Sequence, residues 1–274
     1  MTVELGVTLF KIAFWVYLAA TVCYLAFLVN REKRVGKLGL GFVVIGLIIH
    51  TASLVVLTVV TGRPPFLNLY EYMLSFTWGA VAIYVTLELV TKNQAFGAFA
   101  VPLITAFTFL AYRLPSDIDE NVLPALRSVW RVPHIASAIL AYSAFALAFA
   151  LAIMYLIREK AEGKKNSFWV TRLPALATLD QTTYRVIAFG FLMQTLLVVV
   201  GAIWAQFAWG RYWGWDPKET WSLITWLIYA AYLHTRVTMG WRGRKSAVLA
   251  AVGFVAAMFT LYGVSYLLSG LHSY

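Results

Sequence analysis

Long apolar runs dominate the chain, and their lengths match the thickness of a lipid bilayer. A helix that crosses the hydrocarbon core needs about 20 mostly apolar residues. Eight stretches meet that requirement, namely residues 6–30, 38–61, 68–91, 95–112, 132–157, 183–208, 219–239 and 246–269. Backbone polar groups in lipid must pair within helices. The pattern therefore predicts an all-α membrane protein, a polytopic bundle of about eight transmembrane helices.

The composition agrees with a chain whose main solvent is lipid. Of 274 residues, 61% are hydrophobic and 12% are charged, whereas a soluble domain has roughly 45–50% apolar and about 25% charged residues. The single cysteine, Cys23, lies in an apolar run and cannot form a disulfide or a CxxC pair within the chain. The first apolar stretch is too long for a signal peptide and follows no basic leader, so we interpret it as a retained span.

The basic residues are distributed unequally between alternate connections. Fifteen of the 22 Lys and Arg residues lie in one set, residues 31–37, 91–94, 158–185 and 236–245. Six more lie in the other set, residues 62–67, 113–131 and 209–218. The positive-inside rule places the first set in the cytoplasm, which puts both termini outside. The same rule accounts for the net charge of +10, so membrane lipid rather than nucleic acid is the expected partner.

The four histidines form a two-and-two pattern across the predicted bilayer. His134 and His272 fall near the outer surface, whereas His50 and His234 fall within the second and seventh predicted spans. A lone histidine in a span is often explained by a hydrogen bond to a neighbouring helix, but the paired pattern favours iron ligation, because neutral imidazole is a good axial ligand of haem. At 1.5 Å per residue, the depths of His50 and His234 differ by about 10 Å, and their spacing alone does not establish that they meet.

Tryptophan is concentrated in one segment. Six of the 11 tryptophans lie within residues 204–226, a density above that of an interfacial aromatic belt. Indole rings offer flat apolar faces to a planar macrocycle, and basic side chains can pair with its carboxylates. The candidate contacts are Trp209, Arg211, Trp213, Trp215, Asp216, Lys218 and Trp221. Asp216 before Pro217 is also expected to cap a helix, a role compatible with binding.

A further segment, residues 62–72, joins the second and third predicted spans. Pro64 and Pro65 are expected to end the second helix. Glu71 lies near the start of the third helix, where its charge favours the helix dipole. Structural and functional interpretations of this segment are equally supported by the sequence.

The tract Trp209-Gly-Arg-Tyr-Trp-Gly-Trp-Asp-Pro-Lys-Glu-Thr-Trp-Ser-Leu resembles the "WWD" signature of haem-handling proteins. The whole chain is similar in layout to the CcsA (ResC) proteins of System II cytochrome c biogenesis. Supporting segments are Pro-Phe-Leu-Asn-Leu-Tyr-Glu at 65–71, Pro133-His134, Tyr-Leu-His-Thr-Arg at 232–236 and Leu-His-Ser-Tyr at 271–274. The resemblance covers nearly the whole chain.

This resemblance implies roles for particular residues. His134 and His272 would ligate haem iron on the outer side, and His50 and His234 would hold haem within the membrane. The outer haem would lie in a cradle made by Trp209, Trp213, Trp215, Asp216 and Trp221. The implied ligand is haem b, bound as a substrate that is delivered outward. No catalytic residue is assigned in this chain.

The resemblance also implies partners and a location. CcsA proteins work with CcsB (ResB), and since no fused partner is evident, a separate one is expected. Together they would be a holocytochrome c synthase that joins haem vinyl groups to the thiols of a CxxCH motif in apocytochrome c. Whether bond formation belongs to this chain or to its partner is left open. The expected location is the cytoplasmic (inner) membrane, or a thylakoid membrane, with the active face outside the cytoplasm.

The expected organisation is a single haem-handling domain over residues 1–274, with the tryptophan-rich outer loop at 204–226. Three alternatives are open. A CcmC-like haem chaperone has the same signature but about six spans and no synthase activity. A membrane electron-transfer cytochrome b usually carries two histidines on one helix, unlike the arrangement here. A transporter of another amphiphile would bind haem only incidentally.

Overall fold

The computed structural model describes residues 2–116, 118, 128–164 and 166–267, without the side chains of residues 265 and 266. This part of the chain contains helices and no strands. The helices are α1 (Val3–Asn30), α2 (Lys33–Thr61), α3 (Leu69–Thr91), α4 (Gly97–Arg113), α5 (Arg131–Ala161), α6 (Phe168–Arg172), α7 (Leu176–Trp209), α8 (Pro217–Thr238), α9 (Arg244–Met258) and α10 (Val264–Leu267). A 3₁₀ turn, Gln94–Phe96, precedes α4, and a π-helical turn, Phe259–Gly263, joins α9 to α10. The predicted all-α fold is confirmed.

Among the described residues, seven helical stretches are long and apolar enough to cross a membrane: α1, α2, α3, the 3₁₀ turn with α4, α5, α7, and α9 with the π-helical turn. The stretch predicted at 219–239 is present as α8, but it is less apolar than these seven. The fold of a polytopic bundle with about eight long helices is therefore confirmed. The orientation of the termini stays a prediction.

The charged connection over residues 158–185 contains more helix than the sequence predicts. The sequence predicts a loop over residues 158–185, but α5 extends to Ala161 and α7 begins at Leu176. The five-residue helix α6 lies between them. The first turns of α7 bury Leu179 and Thr183, so this polar segment continues a packed helix rather than forming a solvated loop.

Two compact units make up the chain. The first contains Met1–Asn121 and Lys165–Pro174, and the second contains Val122–Lys164 and Ala175–Tyr274. The first unit is therefore built mainly on α1 to α4, and the second on α5 and α7 to α10. That both act as one haem-handling domain stays a prediction.

The first unit has a buried carboxyl group between two helices. Tyr24 of α1 donates a hydrogen bond to Glu88 Oε2 of α3 at 2.6 Å, and Tyr84 donates to the same oxygen. Glu88 is only 2% exposed. A polar group in an apolar interior is costly unless it is hydrogen-bonded. Both hydroxyls lower that cost, and the hydrogen bond from Tyr24 ties α1 to α3.

The segment between α2 and α3 is held by a bidentate ion pair. The Arg63 guanidinium donates to both carboxylate oxygens of Glu71, at 2.8 and 2.9 Å. Glu71 also accepts from the backbone N–H of Leu67 at 2.7 Å, while the Asn68 side chain caps α3 by accepting from the Glu71 N–H. Glu71 therefore acts on the loop as well as on the helix dipole, and its structural role is evident.

The second unit packs around α5, the helix with the largest buried share of its apolar stretch, 78%. Phe145 of α5 stacks on Tyr229 of α8, with ring centroids 3.7 Å apart. At one end, Arg236 of α8 pairs with Asp180 of α7 at 2.7 and 3.0 Å. Asp180 also accepts from the backbone N–H of Gly243 ahead of α9. These contacts fix α7, α8 and α9 against one another at that end.

Candidate functional site

His134 lies in the first turn of α5, where it reaches across to α7. Its Nδ1 is 3.0 Å from the backbone carbonyl oxygen of Leu197. A carbonyl oxygen can only accept, so Nδ1 must carry the proton of the neutral ring. The lone pair of the neutral imidazole then lies on Nε2, the nitrogen on the far side of the ring. A backbone hydrogen bond of this kind orients many metal-binding histidines.

The surroundings of His134 on α7 are shaped to accept an imidazole. A Cβ placed on Gly201 would lie 2.7 Å from Cε1 and 2.8 Å from Nδ1 of His134. Any side chain at position 201 would therefore displace the ring. Trp204, which is 3% exposed, lies one turn further along α7 with its ring centroid 5.3 Å from that of His134. Gly201 and Trp204 together fix where the imidazole can lie.

The tryptophan-rich segment begins on the same helix. Trp204 and Trp209 are 5.7 Å apart between ring centroids. Beyond the end of α7, Trp213 and Trp215 meet edge to face at 5.8 Å. Trp221, in the second turn of α8, lies 4.3 Å from Phe259. The indoles therefore come from α7, the loop and α8 of one unit, and His134 contacts the set through Trp204.

Trp215 has an unusual backbone and an exposed ring. Its φ of 57° lies in the left-handed region, which is costly for a bulky side chain. The side chain is 69% exposed. The fold therefore holds a large aromatic surface outward at a conformational cost, an arrangement typical of binding surfaces.

The start of α8 is fixed by a capping box. The Glu219 carboxylate accepts from the backbone N–H of Gly214 at 2.8 Å and from that of Asp216 at 3.2 Å. In turn, Asp216 accepts from the backbone N–H of Lys218, and Pro217 occupies the first helical position. The cap predicted for Asp216 is confirmed. Because Glu219 bonds the loop backbone at two points, it also fixes the segment that carries Trp213 and Trp215.

Replacing Glu219 with Ala is expected to loosen this loop. The loss of the two backbone hydrogen bonds of Glu219 should lower the free energy of unfolding by about 1–3 kcal/mol, and the haem affinity of the purified protein should fall with it. Thermal unfolding in detergent and haem titration measure the two effects. Glu219→Gln is the matched control, because its amide oxygen still accepts from the loop. Equal haem affinities for wild type and Glu219→Ala would contradict a positioning role.

The two cationic side chains of the loop differ in their surroundings. Arg211 is exposed, with its guanidinium lying against Gly214. Lys218 is half-buried in the first turn of α8. Burial lowers the pKa of the Lys218 ammonium, and the Asp216 carboxylate opposes that shift. Arg211 is therefore the side chain that can turn toward a carboxylate at the least desolvation cost.

A π-helical turn packs against the indole of Trp221. Phe259 begins this turn, and Thr260 donates a hydrogen bond to the backbone carbonyl of Trp221 at 3.1 Å. The Thr260 and Thr225 hydroxyls are also 3.0 Å apart. π-Helical turns are often found at functional sites. Here the turn joins the α9 side of the unit to the tryptophan-rich segment.

His50 occupies a separate place, in the first unit. It lies on α2, is 0% exposed, and packs against Phe10 and Tyr17 of α1. Its Nδ1 is 3.4 Å from the Tyr17 hydroxyl, and its Nε2 makes no hydrogen bond. The backbone carbonyl of Leu74 on α3 also faces the ring as a second acceptor, although Nε2 makes no hydrogen bond of normal geometry.

The other two predicted ligands have less defined surroundings. His234 lies in the last two turns of α8 with an exposed side chain, and its backbone carbonyl accepts from Thr238. Because His234 belongs to the second unit and His50 to the first, their pairing stays a prediction. His272 lies outside the described residues, so the predicted pair of His134 and His272 also stays a prediction. The described residues contain no group of three or more His, Cys, Asp or Glu able to hold a metal ion.

Several neighbours of the predicted ligands carry no signal in the sequence. Leu197 acts through its backbone carbonyl, which every residue has. Gly201 and Tyr17 are ordinary residues of apolar helices until their neighbours are known. The spacing of Gly201 and Trp204, which puts them on one face of a helix, is consistent with this contact but is too common to predict it.

The chain is similar to known proteins in both sequence and fold. Residues 66–272 match the family described as "Cytochrome C assembly protein". The "Cytochrome c biogenesis protein CcsA" of Guillardia theta is 38% identical, with 96% of this chain and 94% of that protein covered. The protein of the same name from Gloeobacter violaceus is 34% identical, with 99% and 96% covered.

A solved structure, "Cytochrome c Heme Lyase CcmF", superposes with a TM-score of 0.73 at 17% identity. The superposition covers 96% of this chain and 47% of the CcmF chain, so this chain spans about half the length of that protein. This likeness shows a shared helical fold. The two relatives cover nearly the whole chain, and the family model covers all but its first quarter. The chain therefore belongs to the CcsA family of cytochrome c assembly proteins.

Proposed function

We propose that this protein binds haem b at the tryptophan-rich end of its second unit and delivers it for covalent attachment to apocytochrome c. In this role it is the CcsA subunit of a System II cytochrome c synthase. The observation that carries the proposal is the geometry of His134. Its Nδ1–H is bonded to the Leu197 carbonyl, so the neutral ring carries its lone pair on Nε2, and the ring centroid lies 5.3 Å from that of Trp204 in the tryptophan-rich segment.

The residue types at the tryptophan-rich end of the second unit are those that bind haem in proteins, namely an imidazole, flat aromatic rings and a guanidinium. Nε2 of His134 supplies one axial ligand, and His272 is the second ligand that we propose. The faces of Trp209, Trp213 and Trp215 contact the macrocycle, while the exposed guanidinium of Arg211 pairs with a propionate. Asp216 and Lys218 open α8 at the edge of this surface, and Trp221 follows them one turn later.

The bond chemistry uses groups of the two substrates. Haem supplies the vinyl groups, and each thiol of a CxxCH motif adds across one of them, so that a C–S and a C–H bond replace the C=C π bond and the S–H bond. The cysteine of this chain, Cys23, is half-buried in the first unit. The contribution of this chain is to orient the macrocycle, limit its contact with water and hold the iron until the histidine of the CxxCH motif replaces one ligand.

We further propose that haem passes through the membrane part of the chain before it reaches the tryptophan-rich site. His50 and His234 hold it there. The enclosed Nε2 of His50 is a buried nitrogen without a hydrogen bond, a group that metal binding satisfies. Since the imidazole is fully enclosed, neighbouring side chains must move aside when iron binds.

The partner and the location follow from the same proposal. A CcsB (ResB) membrane protein completes the synthase, and the protein lies in a cytoplasmic (inner) or thylakoid membrane with the tryptophan-rich loop outside the cytoplasm. Two relatives named CcsA align with this chain over 94% and 96% of their own lengths. This supports the synthase subunit over a haem chaperone of the CcmC kind.

The test is co-expression with and without a CcsB-type partner, together with a reporter that carries one CxxCH motif. We expect covalent haem on the reporter only when both proteins are present, and haem bound to this chain in either case. Haem staining after denaturing electrophoresis measures the covalent product. A haem-free purified chain, or equal covalent yield without this chain, would contradict the proposal.

A further inference from the structure

The imidazole of His50 has one nitrogen beside a hydroxyl and the other in an apolar enclosure. Nδ1 lies 3.4 Å from the Tyr17 hydroxyl, a distance at the long end for a hydrogen bond. Nε2 is buried and makes no hydrogen bond. The two nitrogens of this ring are therefore inequivalent before any ligand arrives.

Tyr17 is held firmly at this place on α1. It is 1% exposed. Its backbone carbonyl accepts from the hydroxyls of Thr21 at 3.0 Å and of Thr105 at 3.3 Å, and these two hydroxyls are 2.9 Å apart. On the opposite side, a Cβ at Gly46 would overlap the Tyr17 ring, so α2 approaches it closely. The two threonines thus fix the Tyr17 backbone, and the close approach of α2 fixes its ring beside His50.

We propose that Tyr17 is a positioning residue that makes Nε2 of His50 the nitrogen presented to haem iron, an inference that rests on the proposed haem-binding function. Before iron binds, the phenol O–H can donate to Nδ1 or the phenol oxygen can accept from it. Once Nε2 holds the iron, the proton lies on Nδ1, and the phenol oxygen accepts it and holds the ring in one orientation.

The physical basis is the tautomer that iron binding selects. A neutral imidazole carries one proton, and a ligating nitrogen must offer its lone pair. Binding through Nε2 leaves the proton on Nδ1, where it needs an acceptor in an apolar interior. The Tyr17 oxygen is the acceptor within reach of Nδ1, at 3.4 Å. An N–H bond to such an acceptor fixes the ring and strengthens it as a ligand.

The second unit shows the same chemistry with a different acceptor. Nδ1 of His134 donates to a backbone carbonyl, which no substitution can remove, whereas Nδ1 of His50 faces a side-chain hydroxyl. The role of the acceptor beside His50 can therefore be tested by removing one oxygen atom. Tyr17→Phe deletes the hydroxyl oxygen and leaves the ring that Gly46 accommodates.

The matched control is Tyr70→Phe. Tyr70 is buried in the same unit, lies 6.1 Å from Phe10 between ring centroids, and its hydroxyl makes no hydrogen bond. The substitution removes the same atom from the same neighbourhood, and that hydroxyl makes no hydrogen bond to His50. Both substitutions are made in a His134→Ala background, so that haem at the tryptophan-rich site does not mask the signal. His50→Ala in this background defines the signal of the inner site.

Haem titration into the purified full chain, followed in the Soret band, measures affinity, and resonance Raman spectroscopy measures the iron–imidazole bond. We expect Tyr17→Phe to bind about 10- to 100-fold more weakly, with a lower iron–imidazole stretching frequency, and Tyr70→Phe to match its parent. Unchanged binding in Tyr17→Phe, with haem lost in His50→Ala, would overturn the positioning role alone. Equal losses in Tyr17→Phe and Tyr70→Phe would overturn it as well. Unchanged haem in His50→Ala would overturn the proposed inner site and the positioning role with it.

Discussion

Replacing His134 with Ala is expected to remove haem from the tryptophan-rich site and to lower the yield of covalent cytochrome c. Loss of a residue that only supports a metal ligand costs about 10- to 100-fold in affinity. Loss of the ligand itself should cost at least about 100-fold. The measurement is the haem content and optical spectrum of the chain purified with its partner, together with the reporter yield.

Imidazole in the buffer separates a lost ligand from a damaged fold. His134→Gly leaves space at the start of α5, and the added imidazole can enter it without a covalent link to the chain. We expect it to restore the spectrum and part of the reporter yield. Wild-type haem content in His134→Ala, with the same spectrum, would contradict the ligand assignment.

Gly201→Ala is expected to reproduce much of the His134→Ala effect without removing a ligand or an indole. The new Cβ would lie 2.7 Å from Cε1 of His134, closer than carbon atoms pack. The imidazole must rotate, and its Nδ1–H bond to the Leu197 carbonyl is lost or lengthened. We expect haem affinity to fall at least about tenfold, the lower end of the effect of a changed supporting contact. Haem titration of the purified chain measures it.

Gly41→Ala is the matched control for the added methyl group. Gly41 also lies in a long apolar helix, α2, and a Cβ there would meet nothing within 4 Å. This variant should bind haem like the wild type, and its helix should gain about 0.5–1 kcal/mol from the replaced glycine. Equal affinities for Gly201→Ala and Gly41→Ala would show that the place of the His134 ring has no bearing on binding.

The helices were predictable because lipid imposes one simple length on them. Apolar runs of about 20 residues predicted the stretches that became α1 to α5 and α7 to α9. The ends were less accurate, because polar residues can extend a helix beyond the bilayer when one face of it is packed. In α7, Leu179 is buried ahead of the predicted start, and Thr183 is buried at that start.

The site was predictable in its residue types but not in its contacts. The density of tryptophan marked residues 204–226, and the place of Asp216 before Pro217 gave the helix cap that the structure contains. The acceptor for His134 is a backbone carbonyl on another helix, 63 residues away in the chain. No residue type marks such a carbonyl. The phenol beside His50 likewise depends on how α1 packs on α2, which an evenly apolar sequence does not specify.

The most direct measurement is a structure of the haem-loaded chain in complex with its CcsB-type partner, at a resolution that separates the two nitrogens of an imidazole. We predict iron at about 2 Å from Nε2 of His134, with Nδ1 still bonded to the Leu197 carbonyl and the macrocycle against the indoles of the loop. Haem at this face with no nitrogen of His134 on the iron, or with Nδ1 as the ligand, would contradict the proposed site.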